Sequence, residues 1–376
     1  MHAPLFHPQP EARHLYVHVP FCPKICPYCS FFKTELDAKL RESYVLALEN
    51  EIQRCASRVG CQPETIFFGG GTPTALTASQ LSRIGASLHH HFDLYSLKEW
   101  TVEMNPATVS TEKASALLDM GVTRISMGVQ SWDPQLLHAL GRVHSAEEAE
   151  RSFEILREAG VSNINLDLIF AVPGQSRQTW LDSLEKTIRL RPDHISAYSL
   201  TYEEDTDFLR RLQKGELRQD HDLDADLFLL TMSTLESAGY EQYEISNYAR
   251  PGRECLHNLA YWEGAPYLGL GPSAVSTLGA SRRTNVPDTH LYVEALLAGR
   301  NPPCEIEHLE SDGLLREQLA FALRTNRGIS AEAGEPWREM LLEYEASGWL
   351  ERTDEARWRL TRQGRMLADS LVEIFF

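Results

Sequence analysis

Three cysteines, Cys22, Cys26 and Cys29, lie within eight residues near the start of the sequence, spaced Cys-x3-Cys-x2-Cys. A loop with this spacing can wrap three thiolates around a metal centre. A four-iron cubane needs four ligands, so three cysteines would leave one iron open to an external chelating molecule. A three-thiolate zinc site and buried, unligated cysteines are alternatives that the spacing alone leaves open.

A run of three glycines stands in the segment Phe67-Phe68-Gly69-Gly70-Gly71-Thr72-Pro73-Thr74. Because glycine has no Cβ, such a run lets the backbone approach a ligand closely and adopt positive φ. A tight turn without any ligand explains the same pattern equally well.

Polar residues also close or interrupt three apolar stretches. Glu103 and Gln130 each come at the end of one, and Asp167 is flanked by apolar residues on both sides. A buried carboxylate or amide needs a hydrogen-bonding partner, which a ligand or a structural arginine would supply. Arg142, in Leu-Gly-Arg-Val-His, would on residue type alone be a surface arginine.

A histidine stands among aromatic residues in the segment His257-Asn258-Leu-Ala-Tyr261-Trp262. An imidazole can act as a ligand to a metal ion, and aromatic rings can cover a bound molecule. The alternative is that His257 makes a hydrogen bond in the core while Tyr261 and Trp262 pack around it.

Short apolar runs alternate with amphipathic helical patterns over the first two-thirds of the chain. The predicted strands are His14–Val19, Thr65–Phe68, Trp100–Met104, Arg124–Val129, Asn163–Ile169 and His194–Leu200. The predicted helices between them are Leu36–Arg58, Ala78–His91, Glu112–Leu118, Ala146–Ala159 and Arg177–Leu190. This alternation predicts an α/β fold with parallel strands, either a (β/α)6 partial barrel or a doubly wound open sheet. Both place functional groups at the carboxyl ends of the strands.

The sequence divides into four predicted parts. They are a flexible N-terminus (1–13), a core barrel (14–240), an extension rich in glycine and aromatic residues (241–300) and a C-terminal domain (301–376). In the last part, helical patterns at 314–323, 336–347 and 363–374 surround a short β-hairpin, which is typical of a winged-helix-like module.

The cysteine spacing, with the aromatic Tyr28 before the last cysteine, resembles that of the radical SAM superfamily, and residues 14–279 resemble its HemN/HemW group. The resemblance implies that Cys22, Cys26 and Cys29 hold a [4Fe-4S] cluster whose fourth iron binds S-adenosylmethionine (SAM). The residues that it implies as SAM contacts are Tyr16, Tyr28, Gly70, Gly71, Thr72, Glu103, Gln130, Arg142 and Asp167.

Two branches of this group compete as the function. One contains oxygen-independent coproporphyrinogen III dehydrogenases, radical enzymes that carry an additional cysteine two residues beyond the third ligand, where this sequence has Phe31. The other contains haem chaperones, whose haem-associated motif resembles the segment around His257. We therefore expect a haem chaperone that binds haem, the cluster and SAM, transfers haem to respiratory or haem-storage proteins, and lacks the dehydrogenase activity.

Composition argues against several other classes of protein. The formal net charge of −17 argues against a nucleic-acid partner. Seven cysteines in 376 residues are too few for a disulfide scaffold and suit a reducing compartment. No apolar run approaches the length of a membrane span, and residues 1–13 lack the apolar region of a signal peptide. We therefore expect a cytoplasmic protein that is not an integral membrane protein.

Overall fold

The computed structural model describes residues 12–376, and its centre is a six-stranded parallel barrel wall. Its strands are β1 (Ala12–Val19), β2 (Cys61–Gly70), β3 (Glu99–Met104), β4 (Arg124–Gln130), β5 (Asn163–Phe170) and β6 (His194–Ser199). They lie side by side in the order in which they occur along the chain. A doubly wound sheet would reverse its strand order at a switch point, so the sequential order decides for the partial barrel.

Helices cover the outer face of this wall. They are α1 (Ala38–Ala56), α2 (Ala78–His91), α3 (Thr111–Asp119), α4 (Pro134–Ala139), α5 (Ala146–Glu158), α6 (Arg177–Leu190), α7 (Asp207–Gln213) and α8 (His221–Ser237). Hydroxyl groups accept hydrogen bonds from backbone N–H groups at the predicted helix starts, for example at Thr77 and Ser110. Helices α4, α7 and α8 lie outside the helical segments named from the sequence.

The predicted flexible N-terminus differs from the structure at its last two residues. Ala12 and Arg13 already belong to β1, where the Ala12 N–H donates to the Gly60 carbonyl over 3.1 Å. Residues 1–11 lie outside the described residues.

The sheet continues beyond both edges of the barrel wall. The added strands are β7 (Glu241–Gln242), β8 (Asn247–Ala249), β9 (Tyr267–Leu270), β10 (Val275–Leu278), β11 (Ser281–Asn285) and β12 (Cys304–His308). Strand β9 pairs in parallel with β1, and β10 to β12 follow it as an antiparallel meander. Residues 304–308, which the prediction assigned to the C-terminal domain, therefore belong to the main sheet. Helices α9 (Leu256–Trp262) and α10 (Thr289–Leu297) lie within this extension.

The C-terminal part has a hydrophobic core of its own. It contains α11 (Ser311–Leu323), β13 (Ile329–Ser330), α12 (Arg338–Ala346), β14 (Leu350–Arg352), β15 (Arg357–Leu360), α13 (Arg362–Met366) and α14 (Ala368–Val372). The predicted hairpin is present as β14 and β15, with β13 on the free side of β15. The single final helix that we predicted is broken at Leu367, which lets both Leu371 and Phe375 face the buried Trp358 cluster.

Along residues 12–376, no helix combines the length and the apolar composition needed to cross a membrane.

Candidate functional site

The three clustered cysteines lie on the loop that leaves the carboxyl end of β1. Cys22, Cys26 and Cys29 are free and half-buried. Within residues 12–376, no group of three or more His, Cys, Asp or Glu side chains is arranged around a single metal ion. The thiolates of a cubane bind three different irons, so their sulfur atoms need not converge on one point.

Polar and cationic groups surround these sulfur atoms. The Thr72 hydroxyl lies 3.8 Å from Cys22 Sγ, and Arg142 Nη1 donates to Cys26 Sγ over 3.7 Å. The Lys33 ammonium donates to the Cys29 and Phe31 carbonyls. Cations and hydroxyl groups next to sulfur atoms stabilise thiolates that carry net negative charge.

Burial opposes the ionisation of two of these thiols. It raises the pKa of Cys22 to about 11 and also raises the pKa of Cys29, which the Lys33 charge partly offsets. Iron is the positive charge that such thiols need in order to ionise. Three thiols on one loop, flanked by Lys33 and Arg142, are therefore a donor set that fits an iron–sulfur cluster.

The glycine segment after β2 packs directly against the cysteine loop. The Gly71 N–H donates to the Val19 carbonyl and the Thr72 N–H to the Phe21 carbonyl, both over 2.8 Å. A Cβ on Gly71 would lie 2.6 Å from the Pro20 carbonyl oxygen. Because backbone cannot give way at that distance, the glycine is needed for the close approach of the two loops.

Glycine is also required at position 70, because of both its backbone conformation and its neighbours. Its φ of +103° is one that other residues rarely adopt, and a Cβ there would lie 2.5 Å from the His18 ring. The glycine run forms a tight turn, and this turn brings Gly70 to the wall of a cavity. The two explanations of the run, a tight turn and a contact with a ligand, are therefore compatible.

A cavity of about 430 Å³ lies inside the barrel, beside the cysteine loop. Four residues predicted as SAM contacts line it, namely Tyr16, Gly70, Glu103 and Asp167. Phe31 and Phe32, which follow the last cysteine, line it as well. The cavity volume is within the range of sites for small molecules and cofactors.

The surroundings of Glu103 in the cavity shift the pKa of its carboxyl group strongly. Burial raises the pKa of Glu103 to about 8, and the Asp167 charge adds to the increase, while the Gly70 N–H and Arg124 act in the opposite direction. The group is therefore mostly protonated at neutral pH until a cation is bound nearby.

Asp167 is held by neutral donors. Asn165 Nδ2 donates to one carboxylate oxygen over 2.7 Å, and the Ser126 hydroxyl lies 3.1 Å from the other. Among the described residues no arginine forms an ion pair with Asp167 within 4.0 Å, although a structural arginine was one of its predicted partners.

Three other predicted SAM contacts, Arg142, Gln130 and Tyr28, do not line the cavity wall. Arg142 Nη2 donates to the Gly128 carbonyl over 2.7 Å. Gln130 has a φ of +68°, and Tyr28 packs against Phe208 at a ring separation of 6.2 Å. These residues can shape the rim of the site and the position of the loop.

Helix α9 carries the histidine–aromatic motif and closes the amino-terminal end of the barrel. The Glu99 carboxylate, at the start of β3, accepts from the Leu256 and His257 backbone N–H groups over 3.0 and 3.1 Å. Asn258 and Tyr261 point into the cavity, so they lie in the same space as Glu103. The sequence did not predict that the cysteine loop and this motif share one cavity.

His257 itself is enclosed. Its ring is 1% exposed, and Nδ1 lies 2.7 Å from the Thr65 hydroxyl. Phe67 stacks on it at 5.2 Å and Tyr261 meets it edge-on at 4.7 Å. Burial lowers its pKa to about 3, so the ring is neutral, and Nε2 has no hydrogen-bond partner among residues 12–376.

Sequence reasoning missed several polar residues of the cavity wall. They are His18, Arg124, Ser126, Asn165, Ser196 and Tyr198. A signal for most of them exists, because polar residues recur at every second position of the barrel strands. Asn165 and Asp167 on β5, like Ser196 and Tyr198 on β6, face the same side.

Comparisons with known proteins identify relatives of this chain. Residues 16–187 match the family model of the Radical SAM superfamily. The chain is 35% identical over 372 residues to Heme chaperone HemW of Bacillus subtilis, which covers 96% of this chain and 98% of that protein. Heme chaperone HemW of Escherichia coli is 33% identical, with coverage of 96% and 97%. The mouse protein Radical S-adenosyl methionine domain-containing protein 1, mitochondrial, is 32% identical, with coverage of 96% and 84%.

A solved structure gives the same fold. Coproporphyrinogen III oxidase (HemN) from Escherichia coli, a radical SAM enzyme, superimposes with a TM-score of 0.83 at 25% identity. The match covers 98% of this chain and 90% of that one, so it includes the C-terminal part.

Proposed function

Because this chain belongs to the radical SAM superfamily and, within it, to the HemW family, we propose that it is a haem chaperone. Its cofactors are a [4Fe-4S] cluster and SAM. In this proposal it also binds haem and transfers it to acceptor proteins, for which respiratory and haem-storage proteins are the candidates, in the cytoplasm.

The proposed cofactor site combines the cysteine loop, the glycine segment and polar residues in or after the barrel strands. Cys22, Cys26 and Cys29 hold the cluster, which supplies one-electron chemistry and an open iron for SAM. The other contacts to SAM come from Tyr16, Tyr28, Gly70, Gly71, Thr72, Glu103, Gln130, Arg142 and Asp167. Arg142 and Thr72 orient the sulfur atoms, and Glu103 attracts the cationic part of SAM.

The observation that carries the chaperone proposal is similarity over 96% of the chain to relatives named as haem chaperones. Phe31 supports it, because this residue is 69% exposed at the cavity rim, at the position of the additional cysteine of the dehydrogenase branch. The alternative, an oxygen-independent coproporphyrinogen III dehydrogenase, is favoured by the fold shared with HemN.

Ligation of haem iron by His257 is part of the proposal, and the structure sets a condition on it. The neutral ring with a free Nε2 is the form that binds iron, but Phe67 and Tyr261 cover it. Helix α9 would have to move from the barrel before haem could reach this nitrogen.

One anaerobic experiment separates chaperone from dehydrogenase. The reconstituted protein is titrated with haem and, in parallel, supplied with coproporphyrinogen III, SAM and a reductant. We expect stoichiometric haem binding without decarboxylation, and steady decarboxylation would overturn the proposal.

The His257 assignment has its own test. His257→Ala should weaken haem binding and remove the absorbance of a histidine-ligated iron while the cluster absorbance stays unchanged. His90→Ala, in the exposed run on α2, is the matched control. Equal haem affinity in both variants would remove His257 as the ligand.

A further inference from the structure

A second cavity lies on the outer face of the sheet, away from the cysteine loop. Its volume is about 410 Å³, and it lies between the end of α1, strands β9 to β12 and α10. Leu268 of β9 lines this cavity, whereas its neighbour Tyr267 lines the barrel cavity. Because successive residues of a strand point to opposite faces, the sheet separates the two cavities.

Three arginines line this outer cavity, although the chain as a whole has a formal net charge of −17. Arg54 Nη1 donates to the Gly299 carbonyl over 2.7 Å, and Arg58 Nη1 donates to Asn301 Oδ1 over 3.2 Å. A guanidinium has five N–H donors, so each of these side chains is held in place by one donor and keeps others free.

Arg283 has still fewer partners. Among residues 12–376 its side chain has no hydrogen bond and no ion pair, and its Nε is buried. Its neighbour Arg282, on the opposite face of β11, pairs with Glu307 over 3.7 Å and with Glu317 over 2.7 Å. The strand thus satisfies one arginine within the protein and leaves the next one directed to the cavity.

The carboxylate of Glu51 also lines the cavity, but its oxygens are already engaged. They accept from the Tyr292 hydroxyl over 2.6 Å, the Gly271 N–H over 2.7 Å and Asn285 Nδ2 over 3.0 Å. Burial raises the pKa of Glu51, which weakens the negative charge that it presents to the arginines. Free guanidinium donors therefore outnumber the carboxylate oxygens available to them.

The remaining wall is mostly apolar. Its hydrophobic residues are Val59, Leu268, Leu278, Leu296, Pro302 and Ile306. Ile306, on the edge strand, is 57% exposed, so the cavity opens to solvent there. An apolar wall with unpaired guanidinium groups suits a ligand with an apolar body and carboxylates on one edge.

We propose that this arginine-lined cavity docks the carboxylate-bearing edge of haem, with the propionates on Arg54, Arg58 and Arg283. This inference rests on the proposed haem-chaperone function. It provides a site that haem can reach from solvent without movement of α9. No histidine lines the cavity, and burial raises the pKa of its Cys55 thiol to about 12, so this thiol stays protonated. Docking through the carboxylates leaves the iron free for an acceptor.

The reconstituted full-length protein is titrated with haem and with two probes, each of which differs from haem in one feature, either the iron or the free carboxylates. The probes are metal-free protoporphyrin IX and haem dimethyl ester, in which both carboxylates are blocked. These titrations, and those of the variants below, use the His257→Ala protein, so that iron ligation on α9 does not contribute. We expect protoporphyrin IX to bind about as tightly as haem and the diester to bind at least about tenfold more weakly, since charge-assisted hydrogen bonds are lost.

Variants locate the site. Arg54→Gln, Arg58→Gln and Arg283→Gln combined should weaken haem at least about tenfold and leave the diester unchanged. Arg151→Gln, on the exposed face of α5, is the matched control. If the triple variant fails to fold, the haem affinities of Ile306→Glu and Ile306→Gln are compared instead. Only Ile306→Glu should bind haem more weakly, because its added carboxylate repels the propionates.

Each remaining outcome overturns the inference in a distinguishable way. Equal binding of haem and its diester, or unchanged affinity in the arginine and Ile306→Glu variants, overturns the docking site alone. If haem binding is lost with His257→Ala but kept in the arginine variants that retain His257, haem binds at α9 and not in the outer cavity. The chaperone proposal then stays intact. No haem binding by the wild-type protein overturns both proposals.

Discussion

Among single residues, the half-buried cysteines and their polar neighbours determine what the loop can bind. Burial raises the pKa of the Cys22 and Cys29 thiols, and Arg142 and Thr72 contact two of the three sulfur atoms. The residues around the loop therefore favour an anionic iron–sulfur cluster over free thiols.

Replacing any one of these cysteines tests the cluster assignment. We expect Cys22→Ser to abolish or strongly reduce bound iron and the visible absorbance after anaerobic reconstitution, because two thiolates do not hold the cubane. Cys304→Ser, at an exposed strand position, is the control and should keep full iron content. Zinc in place of iron in the wild-type protein would contradict the assignment.

The raised pKa of Glu103 predicts how SAM affinity depends on pH. Since the pKa is about 8, the carboxylate gains charge as the pH rises from 7 to 9, and the charged form attracts a sulfonium cation. Calorimetry on the reconstituted protein should show affinity rising by up to about tenfold over this range.

Glu103→Gln removes this titration and serves as its internal reference. Ionisation of SAM itself remains in the variant, so only the difference between the two pH profiles belongs to Glu103. Parallel profiles would show that the carboxyl group does not contact the cationic part of SAM.

Among the elements, the loops after β1 and β2 form one unit, because each supplies backbone partners to the other. Helix α9 has a similar relation to β3, whose Glu99 caps its first turn. The cavity is thus closed by two loops in contact with each other at the carboxyl end of the barrel and by one short helix at the amino-terminal end.

Gly71→Ala tests the contact between the two loops. The new Cβ would meet the Pro20 carbonyl, so we expect the free energy of unfolding to fall by about 1–3 kcal/mol and iron incorporation to decrease. Chemical denaturation and iron analysis measure the two effects.

Gly313→Ala is the matched control for this variant. Gly313 lies in α11 with open space around its Cβ position, so alanine should leave stability unchanged or raise it by about 0.5–1 kcal/mol. A Gly71→Ala protein as stable as this control would show that the loops can separate.

At the scale of the whole molecule, the chain has a large barrel core and a separate C-terminal core. Trp262 at the end of α9 packs against Phe321 of α11, with ring centres 5.8 Å apart. Helix α9, which carries the histidine–aromatic motif, is therefore one of the elements that contact the C-terminal domain.

Trp358→Ala should unfold the C-terminal domain selectively. Its ring is 1% exposed in that core, so its removal costs about 3–5 kcal/mol locally. Thermal melts should show an earlier transition and a new protease-sensitive region beyond residue 310, while the cluster absorbance is kept. Phe376→Ala, at a 75% exposed side chain, should change neither. Loss of the cluster together with the domain would show that the two cores fold as one.

The sequence by itself determined the local chemistry and most of the elements. Cysteine spacing, the glycine run and the two hydrophobic periods depend on neighbours in the chain, so they predicted the cysteine loop, the turn after β2 and the six parallel strands. The bounds moved by a few residues where pairing extends a strand, as at Ala12.

Only the tertiary structure decided which residues meet across the chain. The order of strands, which depends on pairing between distant segments, separated a partial barrel from an open sheet. Folding also placed Asn258 and Glu103 in one cavity and enclosed His257. It likewise left Arg283 without a partner while Arg282 is paired, because the two faces of a strand meet different neighbours and spacing along the chain does not encode them.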